Sequence, residues 1–252
     1  MRAMRKSISE MDHWEFGAGE IANPNSSTLR RYFELIASTL DLNGDIAEFG
    51  VSRGSSIVTT GLLLNHYKSN KQILGFDTFD GFPDYSEQDS IERFHELFDS
   101  GKISSEHYER IKKNFEYIRS RGSTLTPDQL SNSGDFSNTS FELVKNKINF
   151  FGLEDKIKLY VGDFTKNLNQ KLSGNALSLV LIDSDLYKSY SCILPSIWSK
   201  LTSGGYIYLD EYYSLKFPGP RIAVDEFISS SGAQLIQLPK WLDFERWAIC
   251  KN

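Results

Sequence analysis

Apolar residues in this chain fall into short, almost unbroken runs, separated by longer stretches with helical spacing. The runs are "DIAEFGV" (45–51), "QILGFDTF" (72–79), "KIKLYVGDF" (156–164) and "LSLVLIDSD" (177–185), then "GGYIYLDEYY" (204–213), "AQLIQLP" (233–239) and "ERWAIC" (245–250). Runs of this kind suit parallel strands covered on both faces, because few positions then need to meet water. Their alternation with helical patterns predicts an α/β fold built on a doubly wound, mostly parallel sheet. The last two runs are close enough to pair antiparallel at one edge. The chain shows no internal repeat and no long low-complexity tract.

One interval breaks the rhythm. The second and third runs are separated by roughly eighty residues, far more than a crossover needs. The interval contains "EQDSIERFHELFDSGKISSEHYERIKKNFEYIRS" (87–120), which is charged with helical periodicity. The polar, turn-rich "RGSTLTPDQLSNSGDFSNTS" (121–140) follows it. Residues 80–140 are expected to form a helical lid over the carboxyl edge of the sheet, where ligands bind in such folds. With this insertion, 1–252 reads as one domain.

Composition narrows the function classes. A chain of 252 residues can bury a substantial single core. The net charge of −5 argues against a broad nucleic-acid surface. No apolar run reaches about 18 residues, so no membrane span is expected. The opening "MRAMRKSISEMDHWEF" has basic residues but no apolar leader segment. Cys192 and Cys250 fit neither a disulfide framework nor a metal site, which points to the cytoplasm.

Chemistry concentrates at the strand ends. "AEFGVSRGSS" (47–56) closes the first strand and opens a helix. Gly50 and Gly54 let the backbone turn tightly and approach a ligand. Ser52, Ser55 and Ser56 add hydroxyls and helix-start amides that suit a carboxylate. The G-x-x-x-G spacing lacks the central glycine of a dinucleotide fingerprint. The next strand ends in Asp77, typed to accept from both hydroxyls of a ribose. The third ends in Asp163, typed to accept from an adenine amino group. Glu48–Gly50, Asp77 and Asp163 at three successive strand ends follow a known layout for S-adenosylmethionine.

The fourth and fifth strands end in acid. Asp183 closes "LSLVLID", and Asp210 and Glu211 close "GGYIYLDE". Adjacent parallel strands bring these carboxylates together, where each raises its neighbours' pKa. A divalent cation relieves that repulsion, and an all-oxygen donor set suits Mg²⁺ or Mn²⁺ rather than zinc or copper. Asp183, Asp210 and Glu211 are therefore the candidate metal ligands, with Asp183 also the candidate catalytic base. Asp185 is expected to cap the helix that follows.

Taken in order, "IAEFGVSRGSS", "GFDTFDGFP", "VGDF", "LIDSDLYKSY", "GGYIYLDEYY" and "PGPRIAVDEF" resemble the macrocin O-methyltransferase (TylF-type) family. The resemblance covers residues from about 28 to 250. It implies a class I, Rossmann-like methyltransferase fold, S-adenosylmethionine, Mg²⁺ dependence, a homo-oligomer and a sugar or nucleotide-sugar hydroxyl as acceptor. It places the metal carboxylates on Asp183, Asp210 and Glu211. The acidic pair is commonly Asp-Asp in that family and is Asp-Glu here. Two rival readings are a metal-dependent methyltransferase for catechol-like phenols and a non-catalytic methyltransferase-like binding subunit. A phenol predicts a flat apolar slot, whereas a sugar predicts polar and aromatic groups, among which Tyr212, Tyr213 and Trp241 are available. Arg221 is expected beside the acidic pocket, and each of the four histidines on an exposed helical position.

Overall fold

The computed structural model describes residues 25, 27–131, 133–166, 168–172, 174–241 and 244–252. Seven strands form one sheet: β1 (Asp45–Phe49), β2 (Ile73–Asp77), β3 (Ile157–Val161), β4 (Leu177–Ile182), β5 (Leu201–Leu209), β6 (Gln234–Trp241) and β7 (Phe244–Cys250). Their spatial order is β3-β2-β1-β4-β5-β7-β6. The first five are mutually parallel, β7 runs antiparallel to β5, and β6 runs antiparallel to β7. All seven apolar runs are strands, and the C-terminal antiparallel pair lies at one edge with β6 outermost. The chain reverses direction between β1 and β4, so the crevice above these two strands is the topological switch point.

Helices cover both faces. On one side α1 (Arg30–Ser38), α2 (Ser55–His66) and α6 (Phe141–Phe150) bury Ile46, Leu179, Leu181 and Tyr208. On the other, α7 (Leu168–Lys171), α8 (Tyr187–Trp198) and α9 (Gly219–Ser231) bury Ala47, Phe49, Val180, Ile182, Ile207 and Leu209. The period-two alternation of a strand sends even and odd residues to opposite faces. A row of rings crosses three strands in register: Phe49 stacks on Phe76 at 4.8 Å and Phe76 on Tyr160 at 4.8 Å. These rings run beneath the carboxyl ends of β1, β2 and β3.

The insertion carries a short 3-10 turn (Glu87–Asp89), α3 (Arg93–Asp99), α4 (Ser105–Ser120) and α5 (Pro127–Leu130). It has small cores of its own. Phe94, Leu97, Ile103 and Ile111 pack with Leu215 and Ile222, and Ile118 and Leu130 pack with Leu186 and Phe217. It is thus anchored to the segments that follow β4 and β5. Among the described residues no helix is long and apolar enough to cross a membrane.

Candidate active site

The turn after β1 is shaped by one close approach. Gly50 has φ 92°, and a Cβ on it would lie 1.9 Å from the carbonyl oxygen of Asp183. Only glycine lets β1 and β4 emerge this close together. Gly54, at φ 81°, is the residue preceding α2. Ser52 sits at φ 49° and its N–H donates to Asp77 Oδ2 at 2.7 Å. Phe79 N–H donates to Asp77 Oδ1 at 2.6 Å. Each Asp77 oxygen thus accepts one backbone bond, and each retains a lone pair for a further donor.

Two of the nucleoside-type acids stand elsewhere. Glu48 points toward α2, is fully buried, and accepts from Ser56 Oγ at 2.6 Å. It supports the turn from below and does not line the cavity. Asp163 turns back on its own chain, where Oδ1 accepts from Thr165 N at 3.0 Å and Thr165 Oγ1 at 2.6 Å. Burial raises its proton affinity, but these hydrogen bonds and Lys166 outweigh burial and hold the carboxyl below the usual range.

The acidic residues do converge. Asp183, Asp210 and Glu211 each offer an oxygen within 4.8 Å of the others. The donor set is all oxygen, which suits a hard cation such as Mg²⁺, Mn²⁺ or Ca²⁺, and small side-chain movements would bring the three oxygens to the shorter spacing such a cation needs. Burial, and then the like charges of Asp210, Asp185, Glu211 and Glu48, hold Asp183 well above the usual carboxylate range. Tyr190 fixes the two strand ends, its hydroxyl donating to Ile182 O at 2.8 Å and accepting from Glu211 N at 3.3 Å.

Asp185 is not the helix cap expected from its position. It is buried at φ 59°, with Lys216 Nζ 4.0 Å from Oδ1. Burial and then the Glu211 charge push it up to about 8, against the lowering effect of Lys216. The first turn of α8 is instead served by Asp89 of the insertion, whose Oδ1 accepts from Tyr187 N at 2.8 Å. Sequence gives no sign of this bond, because the partners are 98 positions apart. Lys216 was missed for a related reason: a single lysine after "DEYYSL" has no diagnostic spacing. Its ammonium lies 3.7 Å from Glu211 Oε1, and Glu211 and Asp185 raise its pKa against burial.

Arg221 is not beside the acidic pocket. It covers the ring of Tyr212 at 4.0 Å and pairs with Asp225 at 3.5 Å. His107 is not exposed. It is buried, stacks on Tyr213 at 3.9 Å, and its Nε2 meets Ser214 O at 2.8 Å. Tyr212 and Tyr213 are buried in these contacts and do not line the cavity. The side chain of Trp241 lies outside the described residues.

Burial lowers the His107 pKa, with further lowering from Arg221 and Arg110 and opposition from the Ser214 bond and Glu245. A histidine held neutral in the fold stabilises fully above its unfolded pKa of about 6.5, and that stability falls away as pH drops below it. The melting-temperature advantage of the wild type over His107→Gln is therefore expected to shrink between about pH 7.5 and pH 5. A constant difference across that range would remove this role.

The cavity has two adjoining lobes, of about 300 and 270 Å³. Both are lined by Gly50, Ser52, Ser133, Phe136, Asp183 and Asp210. The first adds Thr28, Arg53, Ser55 and Ser56, and the second adds Asp77, Phe82, Phe164, Asp185, Glu211 and Lys216. Residues 133–139 border both lobes and are tied down at their end, where Thr139 Oγ1 donates to Ser52 O at 2.6 Å. A serine-lined lobe at a helix start thus meets an acidic lobe beside Asp77, an arrangement suited to one elongated ligand and a second reactant at its middle.

Known proteins share this architecture. The chain is 23% identical over 171 residues to 8-demethyl-8-(2,3-dimethoxy-alpha-L-rhamnosyl)-tetracenomycin-C 4'-O-methyltransferase of Streptomyces olivaceus, a match covering 67% of this chain and 53% of that protein. It is 24% identical over 186 residues to demethyldecarbamoylnovobiocin O-methyltransferase of Streptomyces niveus, covering 73% and 58%. The matches therefore span little more than half of these relatives. The solved structure of the O-methyltransferase NovP superimposes with a TM-score of 0.60 at 20% identity, covering 88% of this chain and 80% of that one. The family model for macrocin-O-methyltransferase (TylF) matches residues 9–125 and 121–237, nearly the whole length. The chain belongs to the macrocin-O-methyltransferase (TylF) family.

Proposed function

We propose that this protein transfers a methyl group from S-adenosylmethionine to a sugar hydroxyl, with a divalent cation held by Asp183 and Asp210 and with Glu211 as a third or outer ligand. The observation that carries the reading is the meeting of these three carboxylates beside the lobe that contains Gly50, Ser52 and Asp77. When bound, S-adenosylmethionine supplies the electrophilic methyl group and the cation lowers the pKa of the acceptor hydroxyl.

The chain's own residues do the rest. Ser52, Ser55 and Ser56 bind the amino-acid end of the cofactor, and Asp77 accepts from its ribose. Glu48 and Asp163, held by Ser56 and Thr165, support the strand ends. Asp183 receives the hydroxyl proton at a carboxylate oxygen. Beside a cation Asp183 would be a weak base, and the lowered pKa of the acceptor hydroxyl would compensate. Phe82 and Phe136, with ring centroids 5.0 Å apart, give an apolar wall to the lobe that the acids also line. Such a wall suits the C–H face of a sugar while the carboxylates meet its hydroxyls. The mixed acidic and aromatic lining supports a sugar over a phenol, and a rhamnosyl acceptor named for the relative from Streptomyces olivaceus agrees with a sugar.

Transfer of a labelled methyl group to nucleotide-linked deoxysugars and to rhamnosides, but not to catechol, is the expected result. Methylation of catechol alone would replace the sugar reading. A cofactor that binds tightly without turnover on any hydroxyl would favour a binding subunit.

The insertion is assigned a gating role over part of its length. Helix α4 is pinned by His107 and by Asn114, whose Nδ2 donates to Leu215 O at 2.9 Å. Backbone amides of α4 are expected to exchange slowly with or without ligand, whereas those of 133–139 gain protection when S-adenosylhomocysteine binds. Hydrogen exchange in 133–139 that ignores the ligand would leave this loop as a fixed wall.

A further inference from the structure

We propose that Arg246 and the Tyr208 hydroxyl form a subsite for a phosphate carried by the acceptor sugar, so that the preferred acceptor is a glycosyl phosphate such as a nucleotide-linked sugar. The inference rests on the methyl-transfer reading above and gives a task to two residues that this reading leaves unused.

Arg246 is the observation that carries it. Only 7% of the residue is exposed. Its Nε is fully buried with no hydrogen-bond partner. Among the described residues its terminal nitrogens form no hydrogen bond or ion pair either, and the guanidinium lies 5.8 Å from the centre of the Phe244 ring. Arginine does not shed its proton as a buried lysine can, so a buried guanidinium without a partner calls for an anion. The acid beside it in sequence does not serve it. Glu245 accepts from Trp247 Nε1 at 3.0 Å, and the alternation of a strand sends both to the opposite face. Arg31 on α1 is by contrast engaged, with Pro239 O at 2.9 Å and Glu34 Oε2 at 2.6 Å. The Tyr208 hydroxyl is a second buried polar group with no hydrogen-bond partner.

Strand pairing sets these two residues together and beside the reacting centre. Tyr208 pairs with Ala248, so Arg246 is its diagonal neighbour on the same face, within reach of a long side chain. Arg246 pairs in turn with Leu238 of β6, which packs into the same core under α1 as Tyr208. Leu209 pairs with Trp247, and one further step of that register sets Arg246 level with Asp210, which lines both lobes. Burial and then the Asp210 charge raise the Tyr208 pKa while Arg246 opposes them, so this hydroxyl is within electrostatic reach of both.

The strand order β2-β1-β4-β5-β7 then lays out the reactants. Asp77, assigned to the ribose, ends β2, and Asp183 follows β4. Arg246 stands two strands beyond β4 on the other side, roughly 10 Å away at about 4.8 Å per strand. A sugar ring bridges that interval, with one hydroxyl turned to Asp183 and Asp210 and a phosphate on its anomeric carbon turned to the guanidinium. The planar fork of Arg246 matches two phosphate oxygens, and the phenol of Tyr208 donates to a third.

The test compares rhamnose linked to a nucleoside diphosphate with methyl rhamnoside, and adds pyrophosphate alone as a probe that needs no turnover. The wild type is expected to show the lower KM for the diphosphate and to melt higher in pyrophosphate. Arg246→Met should raise the KM for the diphosphate roughly 10-fold to 100-fold, through lost charge-assisted hydrogen bonds, and leave that for methyl rhamnoside within about twofold. Without ligand this variant should melt at or above the wild type, because an apolar chain replaces an unpaired buried charge, and pyrophosphate should no longer raise its melting temperature. If Arg246→Met does not fold, Tyr208→Phe decides, with an expected rise of about threefold in the diphosphate KM alone. Equal KM values for the two sugars in the wild type overturn the subsite. An Arg246→Met or Tyr208→Phe change that raises both KM values alike, or neither, does the same. Arg246→Met melting below the wild type with its phosphate preference intact makes Arg246 a counter-charge for the strand-end carboxylates and also overturns it. Pyrophosphate protection that is lost in Arg246→Met, with neither sugar methylated by the wild type, keeps the subsite and sinks the methyl-transfer reading.

Discussion

Replacing Asp183 or Asp210 by asparagine is expected to lower methyl transfer by roughly 10²–10³-fold, the cost of removing one strong electrostatic contact to a transition state. Cofactor affinity should change by less than about threefold, because in the proposed arrangement these carboxylates meet the acceptor rather than the ribose. The reason lies in where the strands end. Ile182 and Leu209 are register partners, so the residues that follow them leave the sheet side by side. Their oxygens gather within 4.8 Å with that of Glu211. EDTA should abolish turnover and Mg²⁺ should restore it, while Glu211→Asp should be mild. Turnover on the identified acceptor and titration with S-adenosylhomocysteine separate the two effects. Full activity in a rigorously metal-free preparation would require the carboxylates to be reread as direct acceptor-binding or general-base groups.

Asp77→Ala is expected to weaken S-adenosylmethionine binding by at least about tenfold, since hydrogen bonds to a charged group contribute about 1.5–3 kcal/mol each. The structure adds a second consequence. The Asp77 carboxylate also accepts from Ser52 N and Phe79 N, so the alanine variant loosens the turn that bears Gly50 and Ser52. Asp77→Asn keeps a carbonyl oxygen for one of these bonds and should fall between wild type and Asp77→Ala in both affinity and melting temperature. Calorimetry on folded variants is the check. Unchanged affinity in Asp77→Ala would remove the ribose assignment, and lost affinity with intact stability would show that the ribose contact outweighs the turn.

The strands and the acids at their ends follow from local pattern. A run such as "LSLVLI" can be buried on both faces only inside a sheet, and the residue after it must emerge at the carboxyl edge. That logic places Asp77, Asp183, Asp210 and Glu211 at one edge from local pattern alone. Glu48 and Asp163 have local partners that the pattern does not show. A strand residue alternates faces, and Glu48 shares the face of Ile46 under α2, where Ser56 holds it. Asp163 has a nearer partner than any ligand in Thr165, two residues on.

What local pattern could not reach are contacts between distant elements. Asp89 capping α8, His107 bonded across 107 positions to Ser214, and Lys216 among the acids have no periodicity, because packing of the insertion against the segments after β4 and β5 creates them. Asp185 shows the difference most clearly. Its place before a helix marks it as a cap, and the insertion supplies another carboxylate to that helix and leaves Asp185 to Lys216. The apolar runs and the strand-end carboxylates were thus set by side-chain polarity along the chain. The counter-charge for those carboxylates, Lys216, and the Phe82 and Phe136 rings in the same lobe are decided by tertiary packing, since a buried charge takes its partner from whatever the packing brings within a few ångströms.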